Sequence, residues 1–272
     1  MQMYASDFEY DGRLLSSFGF MVCTFGGSGD LDVAETGYDI TFTKVQRNHG
    51  RRNGVASTKY EDCAKTTFQI CKNPSEYDDV EIRDSEYREL ARWLNRHEFL
   101  RFRILSEASG LDRAPCYFNA SFNIKKVYVA DILYGLELTA ETDSPYGYGM
   151  PVDRTWTVGA GGSITIADMS DDVGWIRPDL EITCLAGGTL SVSNQKLGGV
   201  TQIKNCVDNE TINIYGDTQI ITTSVAAHRI CNDFNYEFPK IGNDYNGRTN
   251  QMSFSLPCTV RVRYAPVIKD IP

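Results

Sequence analysis

The sequence lacks an apolar run long enough to span a membrane. The longest, Phe18 to Phe25, is already broken by Gly19 and Thr24, whereas a transmembrane helix takes roughly 20 apolar residues. Its opening, Met1-Gln2-Met3-Tyr4-Ala5-Ser6-Asp7, has no basic stretch, so no signal peptide is predicted and folding in a cytoplasm is expected. None of the eight cysteines stands in C-x-x-C spacing, which argues against a zinc site. In a cytoplasm they are expected to stay reduced. Cys184, for example, closes the alternating run Leu180-Glu181-Ile182-Thr183-Cys184, where a thiol acts as a small hydrophobe. Histidine is scarce, only His49, His97 and His228, and without a G-x-S-x-G elbow none is read as catalytic. The clusters Gly26-Gly27-Ser28-Gly29, Gly159-Ala160-Gly161-Gly162 and Gly187-Gly188 lack the Lys-Ser/Thr tail of a phosphate loop and are read as β-turns. Asp168, Asp171 and Asp172 lack the terminal Glu of a calcium loop and are expected in a solvated loop. Positive charge is also in deficit. Twenty-seven Lys and Arg face 36 Asp and Glu, a net charge of -9, which opposes a dedicated nucleic-acid binder.

Two-residue alternation dominates what is present. Thr189-Leu190-Ser191-Val192-Ser193 and Thr211-Ile212-Asn213-Ile214 are patterned as strands with one buried and one wet face. Gly216-Asp217 then reads as a tight hairpin turn. Further strands are predicted over 38–45, 66–72, 99–105, 117–129, 133–141, 163–167, 200–205, 234–238, 251–256 and 259–264. Many short strands with Gly-rich turns indicate sandwiches or barrels. One helix is predicted over 84–97, with Asp84 as N-cap and Glu86 in the first turn. Tyr87, Leu90, Ala91 and Leu94 form its buried stripe, flanked by Trp93. The run Thr142-Asp143-Ser144-Pro145-Tyr146-Gly147-Tyr148-Gly149-Met150-Pro151 gathers turn formers and marks a junction. The predicted domains are 1–143 and 151–272 with a linker at 144–150, the last strand returning towards the junction. A chain of 272 residues accommodates two such cores.

Positive charge concentrates in two places. The loop Lys44 to Asn53 carries Arg47, Arg51 and Arg52. The helix carries Arg88, Arg92 and Arg96 at i, i+4 and i+8, and the acidic stretch Glu76 to Glu81, with Asp78 and Asp79, precedes it. Like charges at this spacing repel one another, and an acidic partner surface would relieve them. These eight charged residues are the candidate interface. No catalytic, cofactor or metal residue is assigned.

The opening Phe8-Glu9-Tyr10-Asp11-Gly12, followed by Ser16-Ser17-Phe18-Gly19-Phe20-Met21-Val22, resembles the start of phage distal tail proteins, the Dit family. Arg92-Trp93-Leu94 looks like part of the single helix of their N-terminal domain, and Asp143-Ser144-Pro145-Tyr146-Gly147 is similar to their junction. Arg177 to Thr183, Leu190 to Asn194, Thr211 to Ile214, Phe234 to Pro239, Asn250 to Ser255 and Val260 to Pro266 resemble, in order, the strands of their C-terminal domain. The resemblance implies a mostly β, non-enzymatic chain. An N-terminal β-sandwich ring domain with one α-helix would precede a C-terminal galectin-like β-sandwich. It further implies a homohexameric ring at the virion tail tip, assembled in the bacterial cytoplasm. The implied partners are the tail tube protein, the tail-tip hub or tail-associated protein and a receptor-binding protein, with no membrane, and with DNA only passing through the lumen. The chain is too short for the inserted carbohydrate-binding module of some relatives. Two other readings stay open: a carbohydrate-binding β-sandwich that contacts the host wall, which would use aromatic platforms such as Trp156 or Trp175, and a virion-associated hydrolase.

Overall fold

The structure, a computed structural model, describes residues 7–25, 40–45, 54–60, 63–105 and 116–269. These form two compact units. One holds the described residues up to Gly147 together with Lys269, and the other is Tyr148–Ile268.

The first unit is built from β1 (Asp7–Tyr10), β2 (Arg13–Leu14), a 3-10 turn at Leu15–Phe18, β3 (Phe20–Cys23), β4 (Ile40–Val45), β5 (Gly54–Tyr60), β6 (Lys65–Lys72), α1 (Asp84–Leu94), β7 (Leu100–Leu105), β8 (Cys116–Val129) and β9 (Ile132–Thr142). Seven strands pair in the order β2-β1-β7-β8-β9-β6-β3. The sheet folds over on itself, so that Phe8 of β1 meets Phe68 of β6 edge-on at 5.6 Å between ring centres. Strand alternation creates this core. In β6, Thr66, Phe68 and Ile70 point inward while their neighbours are exposed or half-buried. Lys72, at the next inward position, is only 5% exposed, and its ammonium is matched by Glu86 at 2.9 Å. An unpaired buried charge there would be costly.

Helix α1 closes the core. Leu90, Trp93 and Leu94 are buried. Trp93 lies inside the apolar stripe, with its ring stacked on Phe18 at 4.5 Å and its indole N–H donating to the Tyr10 carbonyl at 3.1 Å. Asp84 is the first helical residue and not the N-cap, which is Arg83. The Glu86 carboxylate accepts the Arg83 backbone N–H at 2.7 Å, occupying a donor that the helix itself leaves unpaired. The helix ends at Leu94, three residues before the predicted end, with the Asn95 N–H bonded to the Ala91 carbonyl.

Strands β4 and β5 stand apart. Among the described residues they pair only with each other, and from Thr41 to Val45 and Val55 to Lys59 every side chain is exposed. Phe42, Val45 and Val55 are 49%, 52% and 60% exposed.

After β10 (Gly147–Gly149), the second unit contains β11 (Val152–Val158), β12 (Ser163–Ala167), β13 (Gly174–Ile176), β14 (Asp179–Cys184), β15 (Gly188–Asn194), β16 (Val200–Cys206), β17 (Thr211–Tyr215), β18 (Ile220–Thr223), α2 (Ile230–Asp233), β19 (Ile241–Asn243), β20 (Thr249–Phe254), β21 (Cys258–Tyr264) and β22 (Val267–Ile268). A five-stranded antiparallel sheet, β11-β21-β14-β17-β18, and a four-stranded one, β12-β20-β15-β16, enclose one core. Leu180, Ile182, Ile212, Ile214, Val260 and Val262 come from the first sheet. Ile164, Ile166, Leu190, Val192, Met252 and Phe254 come from the second. This is a β-sandwich, as the short alternating strands indicated.

Two local expectations are corrected. The β17–β18 connection runs from Gly216 to Gln219 instead of turning at Gly216-Asp217 alone. Gly216 donates its N–H to Asp179 and lies so close to Arg177 that a Cβ would stand 2.0 Å from that carbonyl oxygen. The strand predicted over 234–238 is absent. Asn235 instead caps the edge of β16 with its side chain, donating to the Val200 carbonyl at 2.7 Å and accepting the Gln202 N–H at 3.0 Å. Tyr236, at φ 60°, breaks the extended path.

Candidate assembly surfaces

The charged candidates divide sharply. Arg47, Arg51 and Arg52, with His49, lie outside the described residues. Arg88 and Arg92 project from α1 and are exposed. Arg88 is satisfied within its own helix, 3.8 Å from the Asp84 carboxylate one turn back. Arg96 is not on the helix at all. It follows the Asn95 cap and lies 3.9 Å from Asp11 and 3.8 Å from Glu98. The supposed row of three repelling charges is therefore two, and one of these already has a carboxylate.

Asp79 faces Arg83 at 3.4 Å. Its carboxyl is held below the usual range by the Glu81 backbone N–H and by Arg83. Among the described residues, Arg92 and Asp78 have no ion-pair partner, and the acidic stretch makes no ion pair with Arg88 or Arg92. Exposed pairs contribute little individually, so the two lone charges are those most available to another surface.

His97 is exposed, but His228 lies inside the second unit. Its Nδ1 is 2.5 Å from Glu210 Oε1, and its Nε2 is 3.3 Å from Asp233. Glu210 is fully buried and also accepts the Val207 N–H at 2.9 Å and the Thr223 hydroxyl. Burial favours a neutral imidazole, but the bond to Glu210 and its charge outweigh this and raise the pKa of His228. Burial likewise opposes ionisation of Glu210, and the Thr223, His228 and Val207 bonds outweigh it. The group clamps β17, β18 and α2 together, with both carboxylates already committed to protein partners. Asp168 is similarly internal. It is 1% exposed and bonded to Ser170 and Asn243, and so is not in solvent as expected.

The thiols are free. Burial pushes Cys258 up to about 11, and a hydrogen bond with Cys206 together with burial raises Cys184. Protonated thiols are poor nucleophiles. Among the described residues, no group of three His, Cys, Asp or Glu side chains could hold a metal ion. Trp156 packs against the second core, whereas Trp175 is 51% exposed.

Comparison with known proteins accounts for both units. Residues 3–144 match a family model described as a phage tail protein N-terminal domain. Residues 146–264 match one described as a phage tail C-terminal domain. No curated protein matches the chain. Among solved structures, the crystal structure of the Dit protein (gp 19.1) of phage SPP1 is similar. It is described as a paradigm of the hub adsorption apparatus in phages that infect Gram-positive hosts. The two are 11% identical, and the match covers 95% of this chain and 98% of that one at a TM-score of 0.64. The likeness establishes a shared Dit fold. The N-terminal family match covers more than half of the residues, and on that basis the chain belongs to this family of phage tail proteins and is a structural component of the tail.

Proposed function

We propose that the chain is the distal tail protein of its particle. Six copies form a ring at the virion tail tip, assembled in the host cytoplasm, that joins the tail tube protein to the tail-tip hub and supports receptor-binding proteins. The observation that carries this reading is the end-to-end match to the Dit fold, with 95% of this chain and 98% of the other aligned. Residues 1–143 would form the ring, 144–150 the link and 151–272 the outward domain. The role is adaptor and not enzyme, and DNA would only pass through the lumen.

Two features of the first unit favour assembly. An isolated two-stranded hairpin is marginal in water, and β4–β5 exposes Phe42, Val45 and Val55. A neighbouring copy would cover them. Arg92 and Asp78 would supply charge complementarity, as would Arg47, Arg51 and Arg52. A ring of heterologous contacts closes only when the rotation per protomer fits.

Negative-stain imaging with light scattering tests the proposal. Six-fold rings with a central channel are expected. Arg88→Glu with Arg92→Glu should weaken ring formation or tube docking, most visibly at low salt, and charge reversal at Asp78 and Asp79 should restore it. A strict monomer at every concentration, with no ring in assembled tail tips, would overturn the ring. Unchanged assembly of the double reversal at low and high salt would remove the helix arginines from the interface.

A further inference from the structure

Trp175 carries more positive charge than a solvent-facing indole needs. It lies in β13, opposite Gly242 of β19. A Cβ at Gly242 would stand 2.4 Å from the Gly174 carbonyl oxygen and 3.2 Å from the Leu197 side chain. The glycine thus lets β13 lie close against β19 and fixes where the indole emerges. Trp175 is 51% exposed. The Arg177 guanidinium carbon is 4.6 Å from its centre, and the Lys240 ammonium is 5.0 Å from it. Cation–π attraction holds both cations there.

These cations are only partly neutralised. Lys240 has Glu237 at 3.3 Å, both partly open to solvent. Arg177 has no carboxylate partner among the described residues, and its Nε is buried without a hydrogen bond. The Lys240 backbone is fixed, because its carbonyl accepts the Asn194 side-chain amide at 2.8 Å. Next to it opens a shallow cleft lined by Gly198, Gly199, Thr201, Glu237, Pro239 and Lys240. Gly198 and Gly199 adopt φ of 67° and 80°, which bends the β15–β16 turn beside the cleft.

The exposed part of the Trp175 indole offers apolar area to the C–H groups of a pyranose. A guanidinium and an ammonium recognise carboxylate or phosphate. Glu237 and the glycine backbone supply acceptors and donors for hydroxyls. We infer that Trp175, Arg177 and Lys240, with the adjoining Glu237 cleft, form a binding site for an anionic saccharide. The site belongs wholly to the second unit and does not depend on whether the chain forms a ring.

The test is titration of the full chain followed by tryptophan fluorescence and calorimetry. Four probes are used: hexagalacturonate, mannose 6-phosphate, neutral maltohexaose and inorganic phosphate. Saturable binding of hexagalacturonate or mannose 6-phosphate is expected, at least tenfold tighter than that of maltohexaose or inorganic phosphate. The preference between the two anionic sugars identifies carboxylate or phosphate as the charged group. Trp175→Ala and the pair Arg177→Gln with Lys240→Gln should each weaken binding at least tenfold, with Trp175→Phe intermediate. Circular dichroism checks each fold, and Trp175→Phe serves if Trp175→Ala does not fold. Binding of maltohexaose as tight as that of the anionic sugars would overturn the proposal. So would the absence of binding by both anionic sugars at millimolar concentration, or binding that survives the Trp175 substitutions unchanged.

Discussion

Replacing Glu210 by glutamine keeps the shape of the side chain and removes its charge. In the folded chain the carboxylate is fully buried and takes bonds from Val207, Thr223 and His228. The substitution would leave His228 with Asp233 as its one carboxylate neighbour, at 3.3 Å. Removing one member of a buried ion pair costs about 3–5 kcal/mol. Because Asp233 remains, the lower end applies, about 3 kcal/mol or roughly two orders of magnitude in the unfolding constant. On a unit of this size, that lowers Tm by on the order of 10 °C. The pH dependence follows from the directions of the shifts. The raised pKa of His228 gives stability that is complete below about pH 6.5 and fades as pH rises through the folded value. The lowered pKa of Glu210 gives stability that is complete above about pH 4.3 and fades as pH falls through its folded value. The clamp therefore contributes most between these limits. Urea unfolding of wild type, Glu210→Gln, His228→Asn and the double variant at pH 5.5, 7 and 9 measures this. Hydrogen exchange at the Ile212 and Ile214 amides reports opening of the second unit separately. A cost for Glu210→Gln under about 0.5 kcal/mol, or one equal at all three pH values, would refute the clamp.

Two further outcomes are expected. All eight thiols should be alkylated under denaturing, non-reducing conditions, because every cysteine is free. Mass spectrometry showing a protected pair, with Cys23 and Cys71 or Cys184 and Cys206 the adjacent candidates, would contradict it. Phe42→Ser with Val55→Ser should leave the melting of the monomer within about 1 °C, since exposed side chains contribute little to folding, yet reduce ring yield several-fold by imaging. Full ring assembly by this variant would exclude the β4–β5 hairpin from the interface.

Local patterning carried most of the fold. Residues 163–167 were legible as a strand because Ile164 and Ile166 alternate with exposed neighbours, and α1 because its apolar residues recur at helical spacing. The predicted helix ran too far because Arg96 continues the arginine spacing, and nothing local reveals that it turns towards Asp11, a residue of the opposite end of the unit's sequence. The 234–238 stretch alternates like a strand, but a side chain can satisfy an edge as well as a backbone can, and Asn235 does so. The Glu210–His228 clamp was hidden for the same reason as the Trp175 site. Each depends on residues brought together by sheet register, Trp175 and Lys240 being neighbours only because β13 pairs with β19.

The distribution of unmatched groups bears on how a ring of this chain would hold together. Of the charges on and before α1, Arg88 and Asp79 already have partners in their own chain, so an intermolecular pair with either replaces an existing contact and gains little. Arg92 and Asp78 lose no such contact. Even so, surface ion pairs contribute only about 0.2–1 kcal/mol each, too little to close a ring at low concentration. Apolar burial must then carry the affinity, and the first unit has such area on the β4–β5 hairpin, at Phe42, Val45 and Val55. At roughly 25 cal/mol per Å², covering a few such side chains outweighs several surface ion pairs. Charge would set encounter rate and register, and the hairpin would set residence time. Salt should accordingly slow assembly without dissolving rings already formed, whereas loss of the hairpin's apolar residues should shorten their lifetime at any salt concentration.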